Sequence, residues 1–367
     1  MAQLLRGGRA LLLALGVVVA LGVVGTTGAQ QSSSLFVPLA HLSREAPPTP
    51  TLPPAQGVWS SVPNTPAGVA LFAVASAGTR DFWAVGSGGT VLRSTDLGAT
   101  WTRVEVGTNA SLYGVRFVDE RTGVVAGLGG TIRRTTDGGA TWTTPTGGGG
   151  NLGFVWFASR EVGFIGGDGG TILKTTDGGA TWTRLNTGFD RDITGIHCIS
   201  ETACWAAGST DAGGVVLRTT DGGATWQRLG AAAGFTPLGA VWFVSDRIGV
   251  VGGDPNFATG ESNLWRTTDG GATWTRARLD IFGPAVTGFA LLDGSTGWAS
   301  AEERIVIQTT DGGATWTTVL QQLKTPGQNR WLHAIATKPN GVAVAVGAVY
   351  PADGSFTPLG SIIVRRQ

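Results

Sequence analysis

Six copies of one nonapeptide supply the residues whose types and spacing could do chemistry. Each copy follows the pattern [ST]-T-D-x-G-A-T-W-x and places a tryptophan five residues after an aspartate. A carboxylate near an aromatic ring could bind a ligand at every copy, or the motif could be one structural unit used six times. The residues are Asp96, Asp137, Asp177, Asp221, Asp269 and Asp311 with Trp101, Trp142, Trp182, Trp226, Trp274 and Trp316.

The local chemistry of the motif favours a structural role. Asp137 precedes Gly138 and Gly139, so its carboxylate can accept hydrogen bonds from the backbone amides of a tight turn. The glycines allow positive φ without steric cost, and Trp142 can bury its ring over the hairpin or on the next repeat. One acid per turn, with no second carboxylate at D-x-D spacing, is a poor calcium loop. We therefore predict a structural motif without a metal.

Two series of basic residues flank the motif and could bind an anionic partner. The first series directly precedes the motif, and the second follows the tryptophan by two residues. They consist of Arg93, Arg134, Lys174, Arg218 and Arg266, and of Arg103, Arg184, Arg228 and Arg276, respectively. Such charges could equally pair with acids or keep sheet edges from aggregating. A structural role and a partner-binding role both stay open.

The spacing of the motif indicates the elements that must position it. Successive aspartates lie 41, 40, 44, 48 and 42 residues apart. A period of this length with four strand-like pieces is typical of a β-propeller. In the third repeat the pieces are Gly153–Ser159, Glu161–Gly167, Gly170–Thr176 and Thr181–Leu185.

The ends of the chain complete the count of blades. Six repeats run from Gly68 to about Leu320, and the C-terminal tail adds three strands but no fourth. GVWSSV at Gly57–Val62 resembles ATWTRV at Ala99–Val104, so we predict that it supplies the missing outer strand and leaves no open edge. The sequence thus predicts an all-β fold: a seven-bladed propeller of four-stranded antiparallel blades over residues 57–367, closed by the N-terminal strand.

The first 56 residues have the composition of a targeting segment and a linker. Two arginines precede the apolar stretch Ala10–Val24, and small residues follow at Thr27–Ala29. This pattern predicts a signal peptide over residues 1–29, or an uncleaved anchor. The proline-dense stretch Ala46–Pro54 marks residues 30–56 as an extended linker. We therefore expect an extracytoplasmic protein that is periplasmic, secreted or tethered to a membrane.

The two cysteines, Cys198 and Cys204, lie where one predicted strand ends and the next begins. An exported protein can form a disulfide, and we predict a bridge across this hairpin. A metal site is not expected, because His197 is adjacent but no fourth ligand is visible.

The motif S/T-x-D-x-G-x-T-W carries a family resemblance. It matches the Asp-box of sialidases, some endoglucanases, sortilin-type receptors and photosystem II assembly and stability factors. GFIGGDGGTILKTTDGGATW at Gly163–Trp182 resembles the last group most. This resemblance implies an exported propeller that binds a protein partner through an arginine-rich surface and helps to assemble or stabilise a membrane-protein complex. An extracellular propeller for carbohydrate or another ligand, or more remotely a glycoside hydrolase, is the alternative.

Few residues support catalysis. A sialidase resemblance would imply three arginines on a substrate carboxylate, a tyrosine nucleophile and a partner carboxylate. The chain has only Tyr113 and Tyr350 and lacks the arginine-isoleucine-proline motif, and its three histidines suggest no Ser-His-Asp grouping. The formal net charge of +1 offers no basic excess for nucleic acid. We predict a monomeric, non-catalytic protein without a cofactor.

Two groups of residues depart from the repeat. The loops between second and third strands lengthen in blades 4, 5 and 7 and carry Asp211, Asp254, Asn256, Phe257, Glu261, Tyr350 and Asp353. One column of inner-strand positions reads Ala75, Arg116, Trp156, His197, Trp242, Ala290 and Ala336. Arg116 and Trp242 could line the central channel, or the column could reflect irregular packing near the axis.

Overall fold

The computed structural model describes residues 57–230, 233–321, 326–353 and 355–367. The predicted signal segment and linker lie outside these ranges. Within them the chain forms seven β-sheets whose blade strands pair antiparallel, and no helix is long and apolar enough to cross a lipid bilayer.

The chain enters the fold through β1 (Trp59–Ser61) and then builds the blades in order. Blades 1 to 3 consist of β2 (Leu71–Ala77), β3 (Asp81–Gly86), β4 (Val91–Ser94) and β5 (Thr102–Arg103); β6 (Leu112–Phe117), β7 (Gly123–Gly127) and β8 (Ile132–Thr135); and β9 (Leu152–Phe157), β10 (Gly163–Gly167), β11 (Ile172–Thr175) and β12 (Thr183–Arg184). Blades 4 and 5 consist of β13 (Ile193–Cys198), β14 (Cys204–Thr210), β15 (Gly213–Thr219) and β16 (Gln227–Leu229); and β17 (Leu238–Phe243), β18 (Gly249–Asn256), β19 (Glu261–Thr267) and β20 (Thr275–Arg276).

Blades 6 and 7 complete the ring, and blade 6 has one extra strand. After β21 (Arg278–Leu279), blade 6 consists of β22 (Val286–Leu291), β23 (Gly297–Ala301), β24 (Ile305–Thr309) and β25 (Thr315–Gln321), and blade 7 of β26 (Gln328–Thr337), β27 (Ala343–Pro351) and β28 (Gly360–Arg366). Short 3₁₀ turns occur at Ser87–Gly89, Leu128–Gly130 and Glu302–Arg304. Strand β21 pairs with β25 in parallel.

The predicted ring and its closure are confirmed. Each inner strand contacts the inner strand of the following blade, and β26 contacts β2, so the seven sheets form a closed circle. Strand β1 pairs antiparallel with β28 and occupies the outer edge of blade 7. The first and last segments of the propeller therefore share one sheet, and the ring has no unpaired seam.

Blade 2 departs from the four-stranded pattern for a local reason. Its outer edge is reduced to a single bridge between Arg134 and Thr143. In blades 1 and 3 the next ladder bond is donated by the amides of Val104 and Leu185. Pro145 stands at the corresponding place, and because proline has no N–H the outer strand cannot continue.

Aromatic rings fill the space between blades. Trp83 of blade 1 stacks on Phe117 of blade 2 at 4.5 Å between ring centroids, and Trp142 meets both rings edge-on. Trp142 also donates from Nε1 to the carbonyl of Gly139 in its own hairpin (3.2 Å), as the sequence predicted, but its ring reaches the preceding blade and not the next one. Burying rings of this size dominates the interface between neighbouring sheets.

Candidate functional site

The six aspartates each hold their own turn. In blade 3, Asp177 Oδ1 accepts hydrogen bonds from Thr175 Oγ1 (2.7 Å) and the Thr181 amide (2.9 Å), and Oδ2 accepts one from Thr181 Oγ1 (2.6 Å). The same three bonds recur in the other five repeats. Hydrogen bonds from the hydroxyl and amide of Thr141 hold the pKa of Asp137 at about 2. Donors of the turn therefore engage both oxygens of each carboxylate.

The tryptophans close the same turns. Trp182 Nε1 donates to the Gly179 carbonyl at 3.2 Å, and the corresponding bond forms in every repeat except that of Trp226, whose indole nitrogen is buried without a partner. In the described residues, no group of three or more histidine, cysteine or acidic side chains is arranged to hold a metal ion.

Replacing Thr175 with valine tests the turn. Thr175 is 1% exposed, and its Oγ1 accepts a hydrogen bond from the buried Gly179 amide at 2.9 Å. Valine keeps the shape but leaves this amide unpaired, so the free energy of unfolding should fall by about 1–3 kcal/mol in chemical denaturation. Thr183→Val, on the exposed face of β12, should change it by less than about 0.5 kcal/mol. Equal stabilities of the two variants would contradict the role of Thr175.

The first basic series connects neighbouring blades. Four of its five members donate to a glycine carbonyl in the Asp-box of the following blade. The bonds are Arg93 Nη1 to Gly138 O (3.0 Å), Arg134 Nε to Gly178 O (2.7 Å), Lys174 Nζ to Gly222 O (2.7 Å) and Arg266 Nε to Gly312 O (2.8 Å). All of these side chains are half-buried. Their donors therefore serve the fold, a role that the flanking position alone does not reveal.

Blade 4 makes the same connection with a different residue. Arg218 lies over the ring of Trp205 at 5.2 Å, and Trp205 Nε1 donates to the Gly270 carbonyl at 3.2 Å. Arg93 and Lys174 also lie over the aromatic rings of their own second strands, Trp83 and Phe164. Arg93 and Lys174 are thus held between a ring of their own blade and the turn of the next one.

The second basic series lies on the outer strands. Arg103 pairs with Glu105 (3.0 Å) and Arg276 with Glu261 (2.6 Å). Within the described part of the chain, Arg184 donates to the Gly169 carbonyl alone (3.3 Å). Arg228 lies over the ring of Phe189, and no described acid pairs with it. Arg184 and Arg228 are exposed on adjacent blades, so they carry the least compensated charge of the series.

The loop candidates do not form one site. Asp211 pairs with Arg191, and Asp353 accepts a hydrogen bond from the Ser355 amide. Asn256 bonds within its own turn, Phe257 is exposed and Tyr350 is buried. Tyr350 packs with Ala70 at the start of blade 1, so these contacts lie in separate parts of the ring. The cysteines form a disulfide that joins the end of β13 to the start of β14.

Two carboxyl groups that do interact lie in adjacent blades. Asp254 lies near the end of β18 and Glu302 directly follows β23, and their amides donate to Pro237 O and Ala285 O. Burial raises the pKa of Asp254 to about 7, and burial together with the charge of Asp254 raises the pKa of Glu302 to about 8. The sequence singled out Asp254 but not Glu302, because the length of blade 6's loop is ordinary.

The central channel has one bulky wall and one small wall. Its cavity of about 650 Å³ is lined by all seven inner strands. Arg116 Cζ lies 3.7 Å from the ring centroid of Trp156, and His197 stands between Trp156 and Trp242 with centroids 4.1 and 4.3 Å away. The other three blades present alanines at this level, namely Ala75, Ala290 and Ala336.

A family model described as "Photosynthesis system II assembly factor YCF48" matches residues 98–229 and 240–358. The chain belongs to the YCF48 family. This confirms the resemblance on which the sequence prediction rested. The match covers five Asp-box turns in full, the second half of the first one and the first two strands of blade 7, so YCF48-type repeats make up the greater part of the ring.

Solved structures share the fold of this YCF48-family chain at low identity. "YCF48 bound to D1 peptide" is 15% identical with a TM-score of 0.63 and covers 85% of this chain and 99% of that one. "YCF48 from Cyanidioschyzon merolae" is 18% identical with a TM-score of 0.64, covering 84% and 98%. The WD40 β-propeller domain of Doa1 is as similar in shape, with a TM-score of 0.62 at 15% identity over 85% and 97%. No curated protein matches the sequence.

Proposed function

We propose that this chain is an exported, non-catalytic propeller that binds a protein partner and helps to assemble or stabilise a membrane-protein complex. Family membership carries the proposal, because a solved propeller of the same family has a D1 peptide bound. Export rests on the basic, apolar and small-residue pattern of the first 29 residues.

The outer strands of blades 3 and 4 offer the best surface for an acidic partner. The first basic series is engaged between blades, and acids neutralise Arg103 and Arg276 of the second. Arg184 and Arg228 remain exposed without a carboxylate partner among the described residues. Uncompensated arginines of this kind raise association rates and select partners of opposite charge.

The double substitution Arg184→Glu with Arg228→Glu tests this surface. The tagged protein is recovered from its native membrane in mild detergent, the co-purifying membrane protein is identified, and the binding of the purified pair is measured at two salt concentrations. We expect the double variant to bind at least tenfold more weakly and to lose most of the salt dependence, since the attraction is removed and reversed.

The matched control is Arg121→Glu with Arg160→Glu, which makes the same charge change on the exposed turns between first and second strands of blades 2 and 3. This variant should bind like the native protein. Absence of any membrane-protein partner would count against the assembly role, and equal weakening by both doubles would count against this surface.

The alternative, an extracellular propeller for carbohydrate or another ligand, is favoured by the tryptophan-rich wall of the central cavity. A glycoside hydrolase is favoured less. It requires two carboxyl groups beside the substrate, and the interacting pair Asp254 and Glu302 lies outside the residues that line the cavity.

A further inference from the structure

The central channel holds a guanidinium group without a counter-ion. Arg116 projects from β6 into the cavity, and it makes no hydrogen bond or ion pair with any residue that the structure describes. Burial lowers its pKa to about 10, so the group stays charged at neutral pH. A charge held in a low-dielectric wall and left unpaired is costly unless a ligand or water satisfies it.

The surroundings leave this charge uncompensated. Burial and the nearby Arg116 lower the pKa of His197, so its imidazole is neutral at pH 7. Asp293 is the one carboxylate among the described lining residues, and the amides of Ser295 and Thr296 hold it in its own turn. The ammonium group of Lys338 is bonded to three backbone carbonyls. Arg116 is therefore the cation of this cavity that is available to a ligand.

The position of the guanidinium suits a carboxylate. Arg116 stacks its carbon centre on the face of Trp156 at 3.7 Å, which leaves the N–H groups at the edge of the plane free to donate. A guanidinium edge binds a carboxylate through two parallel hydrogen bonds. The stacking also fixes the plane of the group before a ligand arrives, so less side-chain freedom is lost on binding.

The remaining walls suit an apolar body. At the inner-strand position that faces the channel, blades 2 to 5 carry large side chains and blades 6, 7 and 1 carry alanines. Trp156 and Trp242 therefore border the free space on one side. Phe154 stands at the cavity with 39% of its surface exposed. A cavity of about 650 Å³ lies within the size range of small-molecule sites.

We propose that the central cavity binds a small organic anion whose carboxylate is held by Arg116 and whose flat, apolar body packs against Trp242 and Phe154. This site is separate from the outer strands assigned to the protein partner. Its ligand is a free small molecule with one carboxylate and an aryl or similar apolar group.

Calorimetric titration of the full-length protein with three probes tests the ligand class. The probes are 4-phenylbutyrate, its neutral amide, and acetate, each at low salt. We expect 4-phenylbutyrate to bind at least tenfold more tightly than the other two, because only it supplies both the carboxylate and the apolar body. Binding of the amide as tight as that of the acid, or no millimolar binding of the acid, would overturn the proposal.

Two substitutions test the residues. Arg116→Gln should raise the dissociation constant of 4-phenylbutyrate at least tenfold, a change of about 1.4 kcal/mol, whereas Arg121→Gln on the exposed surface should leave it unchanged. Phe154→Ala removes an exposed ring, so the variant should keep the fold. It should weaken the binding of 4-phenylbutyrate but not the binding of acetate. If both Arg116→Gln and Phe154→Ala bind the acid as the native protein does, the site is wrong. Should Arg116→Gln not fold, the Phe154→Ala result decides alone.

Discussion

Replacing Lys338 with methionine is expected to lower the free energy of unfolding by about 3 kcal/mol or more. Lys338 is 1% exposed, and its ammonium group donates to three backbone carbonyls at 2.8 Å each. The lysine follows β26 of blade 7, whereas the carbonyls of Ala77, Gly78 and Asp81 belong to blade 1. The side chain therefore joins the first blade to the last, and methionine would leave three carbonyls without their charged donor.

Lys174→Met is the graded control, because Lys174 makes the same kind of contact with one carbonyl only. It should cost about 1 kcal/mol in urea unfolding followed by tryptophan fluorescence. A Lys338 variant that loses no more stability than the Lys174 variant would show that the three bonds at the seam add nothing.

The pH dependence of stability gives a second reading of Lys338. Burial lowers its pKa to about 8, while the carboxylates of Asp81 and Glu120 oppose this shift. Between about pH 8 and the ordinary lysine pKa, Lys338 is protonated in the unfolded chain but largely neutral in the folded one. The unfolded state therefore binds more protons, and the free energy of unfolding rises with pH over this interval. The methionine variant lacks this gain, and the stability difference between the two proteins should widen over that interval.

The ring could be predicted because its information is local and periodic. Each Asp-box turn is specified by nine consecutive residues, and the missing fourth strand of blade 7 has a visible counterpart in Gly57–Val62. Pro145 explains why the outer strand of blade 2 is reduced to one bridge, but the sequence did not predict this. A proline is recognisable in the sequence, whereas the ladder bond that it removes depends on the strand register.

The basic residues could not be assigned from sequence for a physical reason. The partner of Arg266 is the carbonyl of Gly312, on another blade and 46 residues along the chain. Sequence reports a side chain's charge but not the direction of a distant backbone carbonyl. The same holds for Lys338, which no motif marks, and for the stacking of Arg116 on Trp156 in the channel.

Shortening Trp59 to alanine is expected to cost about 3–5 kcal/mol of unfolding free energy. Trp59 is 8% exposed and packs in one cluster with Trp298 and Val364. It lies on β1, which among the described strands pairs with β28 alone, so its loss weakens the pairing that closes the ring. An opened ring would expose the edge of β28 to other chains, and we expect concentration-dependent association in light scattering.

Two control substitutions, one at Val58 and one at Trp59 itself, separate the packing of the Trp59 ring from the effect of its indole N–H. Val58→Ala changes a residue that is 77% exposed and should alter stability by less than about 0.5 kcal/mol. Trp59→Phe should cost far less than alanine, because the indole nitrogen is buried without a hydrogen-bond partner and phenylalanine removes that unpaired donor while keeping an aromatic ring. If Trp59→Ala stays monomeric and as stable as Val58→Ala, the pairing of β1 with β28 does not hold the ring closed, and the direct contacts between blades 1 and 7, such as His333 Nδ1 with Leu71 O at 2.7 Å, are sufficient.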